Sequence, residues 1–351
     1  MNATLTNGVV RAGRNARERF YDSRGYGRPV DGGALELAPV EAAHLLYRGD
    51  LDGVDGQSFR TFLTSAAVSA TAFLVYKDLR DRGFYLSPAR EAWVADGVAL
   101  GGSPRGDDRG GADVDFVVYP RGSGPWDGEV AYRVAVAGER EPVAAADLGG
   151  VVLAVVDEES EITYLETARP EIEGTSAIDL PEGVAGELLE ERAFVWNPPV
   201  ELYERGFYGQ RLDDQDGEVL QLSLLEAAYL ADRGALAVTG GAEAVVACGR
   251  DAEGERFDRR LRAYTELRER GVVPKTGFKF GADFRTYAHV DSVDDLGHSE
   301  LLVRVLAADH EFAPRDLALD VRLAHGVRKE MVFALVDGEG VEWVSVGRLT
   351  P

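Results

Sequence analysis

Apolar residues recur at helical spacing through the second half of the chain, and this period predicts two helices. The shorter one is an amphipathic helix over Leu224–Arg233, which Gly234 would end. The longer one ends at Gly271, because a glycine often follows the last turn of a helix. A glycine-rich turn then leads into a predicted strand that runs through Tyr287.

Two further elements are predicted nearer the C-terminus. Ser299 is a suitable N-cap, and a helix that begins there would place three apolar residues on one face: Leu302, Val305 and Leu306. Alternating apolar residues in Met331–Val336 and Val341–Val346 flank the turn Asp337–Gly340. This arrangement predicts a β-hairpin that closes the domain.

The same order of sequence blocks occurs twice in the chain, which is the most informative feature of its organisation. The paired blocks are Tyr21–Gly27 with Tyr203–Gly209, Leu35–Leu45 with Leu220–Leu230, Tyr76–Gly83 with Tyr264–Gly271, Asp115–Tyr119 with Asp283–Tyr287, and Val151–Asp157 with Met331–Asp337. Five blocks in one order indicate duplication and fusion of a single unit, hereafter the first copy and the second copy.

The joint between the copies is predicted at Pro170–Gly183, a stretch rich in turn formers. Mixed helical and strand patterns predict an α/β (α+β) fold, in which each copy has a small α/β N-terminal domain followed by an α/β domain with a mixed sheet. The predicted domains are residues 1–90, 91–172, 173–272 and 273–351.

Composition excludes several classes of protein. The chain has 351 residues, of which 45% are hydrophobic, so wholesale disorder is excluded. A single cysteine, Cys248, excludes an intrachain disulfide and a cysteine-based metal cluster. The first residues carry no apolar signal region, and no run approaches the roughly 18 apolar residues of a membrane span. We therefore expect a cytoplasmic protein.

The charge balance points to a particular solvent. Acidic residues number 61 against 38 basic ones, for a net charge of -23, and lysine occurs only at Lys77, Lys275, Lys279 and Lys329. Acids spread along the whole chain are typical of a protein from a salt-loaded cytoplasm, where a Debye length of about 3 Å at 1 M salt quenches self-repulsion. The acidity weakens a nucleic-acid hypothesis without excluding it, because stacking and direct hydrogen bonds survive in high salt.

Candidate catalytic residues emerge from the comparison of the two copies. The second copy contains Tyr287, His298 and Lys329. Tyr119 matches Tyr287, but no histidine lies between residues 120 and 150, and Gly149 aligns with Lys329. Loss of polar groups from one copy is what an active repeat beside a degenerate one would show.

These residues carry a resemblance to the catalytic domain of the archaeal tRNA-splicing endonuclease (tRNA intron endonuclease) family, in its fused two-repeat, homodimeric form. The matching stretches are Tyr264–Gly271, Val273–Tyr287, His298–Glu300 and Val321–Lys329, and residues 226–236 resemble the small N-terminal domain of that family. The resemblance implies a nuclease-like domain in residues 273–351 and a degenerate counterpart in residues 91–172.

The activity implied by the resemblance is excision of introns from precursor tRNA at bulge–helix–bulge junctions. The neighbouring 2′-OH would attack the phosphodiester, leaving a 2′,3′-cyclic phosphate and a 5′-OH. The family's roles place Tyr287 as general base, His298 as general acid and Lys329 beside the phosphorane. Histidine suits the acid role because it ordinarily titrates near neutral pH, whereas a phenol near pH 10 is less suited as a base. His289 and His325 are the alternatives to His298.

The resemblance also implies how the RNA and a second subunit are bound. Two flat side chains that grip a bulge base would be Arg322 and Arg348, with Trp343 as the alternative to Arg348. Asp337 and Glu339 would dock into a basic cleft of the partner subunit.

No cofactor or metal is expected, since the family's reaction is metal-independent. The acidic pairs in Asp113–Asp115 and Asp291–Asp295 lack a supporting histidine or partner motif. The competing function class is a non-catalytic structural or RNA-binding subunit that requires a separate active chain.

Overall fold

A computed structural model describes residues 1–351 except 66, 91–92, 95–112 and 213–217. The fold is mixed α+β and divides into two compact units. The first comprises residues 1–168, 311–319 and 347–351, and the second residues 169–310 and 320–346. No helix in the described part of the chain is long and apolar enough to cross a membrane.

The first unit contains two layers of strands with helices packed on them. Its strands are Asn2–Thr6 (β1), Val9–Ala12 (β2), Arg28–Pro29 (β3), Leu35–Leu37 (β4), Gly53–Val54 (β5), Leu86–Pro88 (β6), Phe116–Val118 (β7), Tyr132–Gly138 (β8), Val143–Ala144 (β9), Val152–Val156 (β10) and Ile162–Ala168 (β11). Its helices are Pro39–Tyr47 (α1), Phe59–Leu63 (α2) and Ala70–Asp81 (α3). One sheet has the order β3-β4-β2-β1-β5 and another the order β6-β7-β8-β10-β11.

The second unit repeats this arrangement. Its strands are Val184–Ala185 (β12), Glu187–Leu189 (β13), Arg192–Trp196 (β14), Gln210–Arg211 (β15), Val219–Ser223 (β16), Leu236–Ala237 (β17), Val273–Thr276 (β18), Phe284–Tyr287 (β19), Leu301–Ala307 (β20), Glu330–Val336 (β22) and Val341–Leu349 (β23), the last of which extends beyond residue 346. Its helices are Leu224–Asp232 (α4), Gly241–Glu253 (α5) and Glu255–Glu269 (α6). Glu311–Phe312 (β21) pairs with β9 in the first unit, and helix Pro314–Gly326 (α7) contributes residues to both units.

Corresponding sheets in the two units have the same pairing pattern. In the order β6-β7-β8-β10-β11, only β8 and β10 are parallel, and in the order β18-β19-β20-β22-β23, only β20 and β22 are parallel. Each unit has its own apolar core. Identical topology with separate cores confirms the duplication inferred from the sequence blocks.

Local sequence explains the two helices predicted in the second copy. Ser223 caps α4 by accepting a hydrogen bond from the Glu226 N–H, and the Glu226 carboxylate accepts one in return from the Ser223 N–H. Helix α6 ends beside Gly271, whose φ of 74° is a left-handed conformation that favours glycine. Both predicted helices and the C-terminal hairpin are therefore confirmed.

The helix predicted to begin at Ser299 is wrong. Residues 301–307 form β20, which lies between β19 and β22 in the sheet. The run Leu-Leu-Val-Arg-Val-Leu-Ala satisfies a helical period, but a strand covered on both faces is also apolar at successive positions. The helix of this region is α7, which begins at Pro314, a residue suited to a first helical turn.

The predicted joint contains no helix or strand from residue 169 to residue 183. Part of it is held against the second unit, because Gly174 N–H donates to Arg270 O and Thr175 N–H donates to Ala288 O. The division into four domains stays a prediction.

Candidate active site

The strand register of the second unit places two of the candidate catalytic residues, Tyr287 and Lys329, in one row across the sheet. Phe284 lies opposite Val303 in the antiparallel β19–β20 pair, and the same register three residues further places Tyr287 opposite Glu300. Leu301 lies opposite Glu330 in the parallel β20–β22 pair, which places Glu300 beside Lys329. The hydrogen bonds from Glu300 N–H to Thr286 O and from Glu330 N–H to Glu300 O support both extensions.

The spacing of the sheet therefore sets the width of this row. Neighbouring strands are about 4.8 Å apart, so the backbones of Tyr287 and Lys329 are roughly 10 Å apart across Glu300. Directly opposed residues of neighbouring strands project to the same face. His298 lies two residues before Glu300, in the segment that leads into β20.

Lys329 is positioned by the end of α7 and by Ser299. Arg328 has a φ of 56°, a left-handed conformation that is costly for a residue other than glycine. This turn lets the Lys329 N–H donate to Ala324 O and starts β22 one residue later. The Lys329 ammonium donates to both the carbonyl and the hydroxyl oxygen of Ser299 and lies 5.8 Å from the centre of the Phe280 ring.

Tyr287 is held by its ring. The side chain is buried, packs on Phe207 with ring centres 5.7 Å apart, and has the Arg285 guanidinium 5.8 Å from its ring centre. In the described part of the chain, no hydrogen-bond partner occupies its hydroxyl. The packing therefore fixes the ring and leaves the oxygen available.

The histidines differ in whether their ring nitrogens have hydrogen-bond partners within the protein. The His289 ring nitrogens contact Thr175 Oγ1 at 2.7 Å and Asp291 Oδ2 at 3.0 Å. His298 is exposed and has no hydrogen bond with any residue that the structure describes. His325 is exposed on α7. A histidine without protein partners at the row is better placed to serve a ligand than one held from both sides.

Strand pairing in the first copy forms the equivalent row, but without a lysine. Register places Tyr119 opposite Ala131, and Ala131 beside Gly149, where the second copy has Tyr287, Glu300 and Lys329. The Tyr119 hydroxyl donates to Ser87 Oγ at 3.0 Å, and burial raises the pKa of Tyr119. An open depression of about 450 Å³ lies here, bordered by residues 130–133 and 150–152.

The residues predicted to bind RNA are not equally accessible. Arg322 is exposed on α7, and Arg348 is exposed near the end of β23. The Trp343 ring is buried in the core, and its indole N–H donates to Glu266 Oε1 at 3.2 Å. A buried indole would have to leave the core in order to stack on a base, so the geometry favours Arg348 over Trp343.

The predicted docking loop is a hairpin tip shaped by its own aspartate. The Asp337 carboxylate accepts hydrogen bonds from the N–H groups of Glu339 at 2.7 Å and Gly340 at 2.9 Å. In the first copy, Asp157 accepts in the same way from Glu159 and Glu161. Asp337 thus has a turn-forming role that both copies share.

Sequence patterns alone did not single out Ser299, Glu300 or Phe280 as neighbours of Lys329. The place of Ser299 and Glu300 directly after His298 was visible, but the helix wrongly predicted at this point concealed the strand register. Within the described ranges, no group of three or more His, Cys, Asp or Glu side chains could hold a metal ion.

Two family models match the chain. Residues 257–343 match the family model for the tRNA intron endonuclease catalytic C-terminal domain. The model for the N-terminal domain of the same family matches twice, at residues 1–63 and 184–246.

Several relatives match along their whole length. The chain is 67% identical to the tRNA-splicing endonuclease of Haloarcula marismortui and 58% identical to that of Haloferax volcanii, each over 100% of both chains. It is 38% identical to the tRNA-splicing endonuclease of Methanosarcina mazei, over 97% of this chain and 96% of the relative. Relatives from halophilic archaea also agree with the interpretation of the acidic composition.

Proposed function

The chain belongs to the tRNA intron endonuclease family and is an endonuclease of tRNA processing, and on that premise we propose that it excises introns from precursor tRNA at bulge–helix–bulge junctions. One observation supports this proposal most strongly. The row that contains Tyr287 and Lys329, with His298 two residues before its central Glu300, has Tyr119, Gly149 and Glu129 at the equivalent positions of the first copy.

In the proposed reaction the 2′-oxygen next to the cut site forms a bond to phosphorus while the bond from phosphorus to the 5′-oxygen breaks. The ionised Tyr287 oxygen accepts the proton of the 2′-OH, and protonated His298 gives a proton to the departing 5′-oxygen. The Lys329 ammonium stabilises the additional negative charge of the phosphorane. The products are a 2′,3′-cyclic phosphate and a 5′-OH.

Packing around the row supports these roles. The Phe207 contact fixes the Tyr287 ring, and the Ser299 oxygens hold the Lys329 ammonium before substrate arrives. Groups that are oriented in advance lose little freedom when the transition state forms, which is the usual source of electrostatic stabilisation in enzymes.

The working form in this proposal is a cytoplasmic homodimer. Arg322 and Arg348 of one subunit stack on a bulge base at the active site of the other, and the loop that contains Asp337 and Glu339 docks into the partner subunit. Exposure of Arg322 and Arg348 supports the first contact, since a guanidinium plane must be accessible in order to stack. The competing function is that of a non-catalytic subunit. It is disfavoured because the first copy, which has the fold but lacks the candidate histidine and lysine, already fills the structural role.

The direct test is incubation of the purified protein with a bulge–helix–bulge precursor tRNA in EDTA and high salt. We expect cleavage at both junctions and products that carry a 2′,3′-cyclic phosphate. The matched control is the same RNA with both bulges closed by base pairs, which we expect to remain intact. Uncut bulged RNA would contradict the enzyme, cleavage only with added Mg²⁺ would contradict the mechanism, and a monomer in sedimentation would contradict the dimer.

A further inference from the structure

The second unit contains a groove that the proposed mechanism does not use. It is lined by Arg256, Arg259, Phe278, Asp283, Arg304 and His310 and encloses about 620 Å³. The groove gathers three arginines in a chain whose net charge is -23. We refer to these six residues as the arginine groove.

Two of the three arginines are more exposed than the buried or half-buried carboxylates with which they pair. The Arg256 side chain is 54% exposed and pairs at 2.5 Å with Asp283, which is 6% exposed. Arg304 is 36% exposed and pairs with Asp320, which is 16% exposed. Arg256 also lies 3.6 Å from Glu253, but each guanidinium has five N–H donors, so these pairs leave donors available for a ligand.

Arg259 is the least satisfied of the three arginines. Its nearest carboxylate, on the exposed Glu255, is 3.9 Å away, a distance at which the attraction is weak. Its Nε atom is buried and has no hydrogen-bond partner among the described residues. Burial, followed by the charge of Arg304, lowers the pKa of His310.

An exposed aromatic ring borders the groove. Phe278 is 86% exposed, more than any other large hydrophobic side chain that the structure describes. It lies in the turn between β18 and β19, two residues before Phe280, whose ring is 5.8 Å from the Lys329 ammonium. One short turn therefore connects the groove with the row.

The first copy lacks the cations of this groove. Extending the block match of α3 with α6 towards the N-terminus places Thr71 at the position of Arg259, and Val68, which precedes α3, at that of Arg256. The strand match of β8 with β20 places Ala135 at the position of Arg304. The three arginines, like His298 and Lys329, are therefore present only in the second copy.

We propose that the arginine groove is a subsite for the RNA substrate, in which the arginines bind backbone phosphates of the strand next to the cut and Phe278 stacks on an unpaired base. Arginine forks suit phosphate oxygens, and every base offers a face to an aromatic ring. Stacking and direct hydrogen bonds also retain their strength in high salt, where long-range attraction is screened. This inference rests on the proposed function.

The test compares Phe278→Ala and Arg259→Gln with wild type in single-turnover cleavage of the bulged precursor tRNA in EDTA. We expect Phe278→Ala to raise the half-saturating protein concentration roughly five- to a hundredfold, the loss expected for one base–aromatic stack, with little change in the saturating rate. Phe278→Trp should restore binding. Arg259→Gln should lower the salt dependence of binding by about one phosphate contact.

The matched control is Arg250→Gln, the same change on an exposed arginine outside the groove. Sedimentation of every variant checks the oligomeric state. Unchanged half-saturation in both groove variants would overturn the subsite. An altered oligomeric state would also overturn it, by assigning the groove to a protein contact. Failure of wild type to cut the RNA would instead overturn the proposed function.

Discussion

The two copies keep one arginine in the same environment, half-buried in the first copy and buried in the second, but differ in two of the groups proposed to carry the chemistry. Arg80 and Arg268 lie over Tyr26 and Tyr208 at 3.6 and 3.9 Å, and each donates to a carbonyl oxygen at the equivalent position, of Arg24 and of Gly206. His298 and Lys329 have no such counterparts. The shared arginine serves the fold, whereas His298 and Lys329, which the first copy lacks, are the residues that we assign to the proposed reaction.

Buried glutamates show a difference of another kind. Glu41 and Glu226 each accept a backbone N–H from the glycine at matching positions, Gly27 at 2.7 Å and Gly209 at 2.8 Å. Burial raises the pKa of Glu41 to about 7. Burial acts on Glu226 as well, but the charge and hydrogen bond of Lys275 outweigh it and lower the pKa of Glu226 to about 2.

The largest effect should separate the copies by activity. We expect His298→Ala to reduce the cleavage rate roughly 10²- to 10⁴-fold, because loss of a general acid has effects of that size, and to leave RNA affinity unchanged. Glu129→Ala at the equivalent position of the first copy should leave the rate unchanged. Single-turnover cleavage and filter binding check both, and a normal rate in His298→Ala would move the role to His289 or His325.

A second effect concerns the buried pair of the second copy. Lys275→Ser, which introduces the residue found at Ser87 in the first copy, should lower the free energy of unfolding by about 3–5 kcal/mol, because it leaves a buried charge without its partner. Urea unfolding at fixed high salt measures this loss. Adding Glu226→Gln should recover part of it, and a double variant as unstable as Lys275→Ser would contradict the electrostatic cause.

The first copy should show two opposed pH dependences. The folded-state pKa of Glu41 is raised, so its stabilising contribution is complete below about pH 4.5 and is lost as the pH rises through about 7. Burial lowers the pKa of His44 to about 4, so its contribution is complete above about pH 6.5 and is lost as the pH falls through about 4. Between pH 4.5 and 6.5 the two slopes oppose each other.

Single variants should therefore reveal slopes that wild type conceals. Relative to wild type, the unfolding free energy of Glu41→Gln should rise with pH across this window, and that of His44→Gln should fall, each by up to about 1.4 kcal/mol per pH unit. Urea unfolding from pH 4 to 8 measures the differences. Parallel curves for all three proteins would contradict the burial of these groups.

The smallest expected change in unfolding free energy comes from a comparison of the two tyrosines. Tyr119→Phe removes the donor to the buried Ser87 hydroxyl, and we expect a loss of about 1 kcal/mol in unfolding free energy with normal cleavage. Tyr287→Phe should keep stability and lose cleavage. Paired unfolding and cleavage assays check this inversion, and a stability loss in both variants would give the tyrosines one structural role.

Sequence alone predicted the duplication, α4, α6 and the hairpin, because caps, glycines and repeated blocks are local signals. It failed at residues 301–307, since an apolar run that is covered on both faces has no period that separates strand from helix. It could not decide between Arg348 and Trp343 as the second side chain that grips a base. Alternation along β23 shows that two faces exist, but it does not show which of them is covered.

The parts of the candidate site that needed the structure are those formed by register. Lys329 and Ser299 are 30 positions apart, and only the pairing of β20 with β22 brings them into contact. The arginine groove likewise gathers residues from α6, from a turn and from β20. No local pattern predicts such contacts, and the aligned sequence blocks contain none of the three arginines.

The saturation of Lys275 has a practical use in chemical labelling. Its ammonium donates to the carbonyl oxygens of Phe207 and Gly209 and to the Glu226 carboxylate, so no hydrogen remains for solvent. The chain has only four lysines, and Lys279 is exposed next to Phe278. With an amine-reactive reagent, modification of Lys275 would record unfolding, and protection of Lys279 in the folded protein would record occupancy of the proposed RNA subsite.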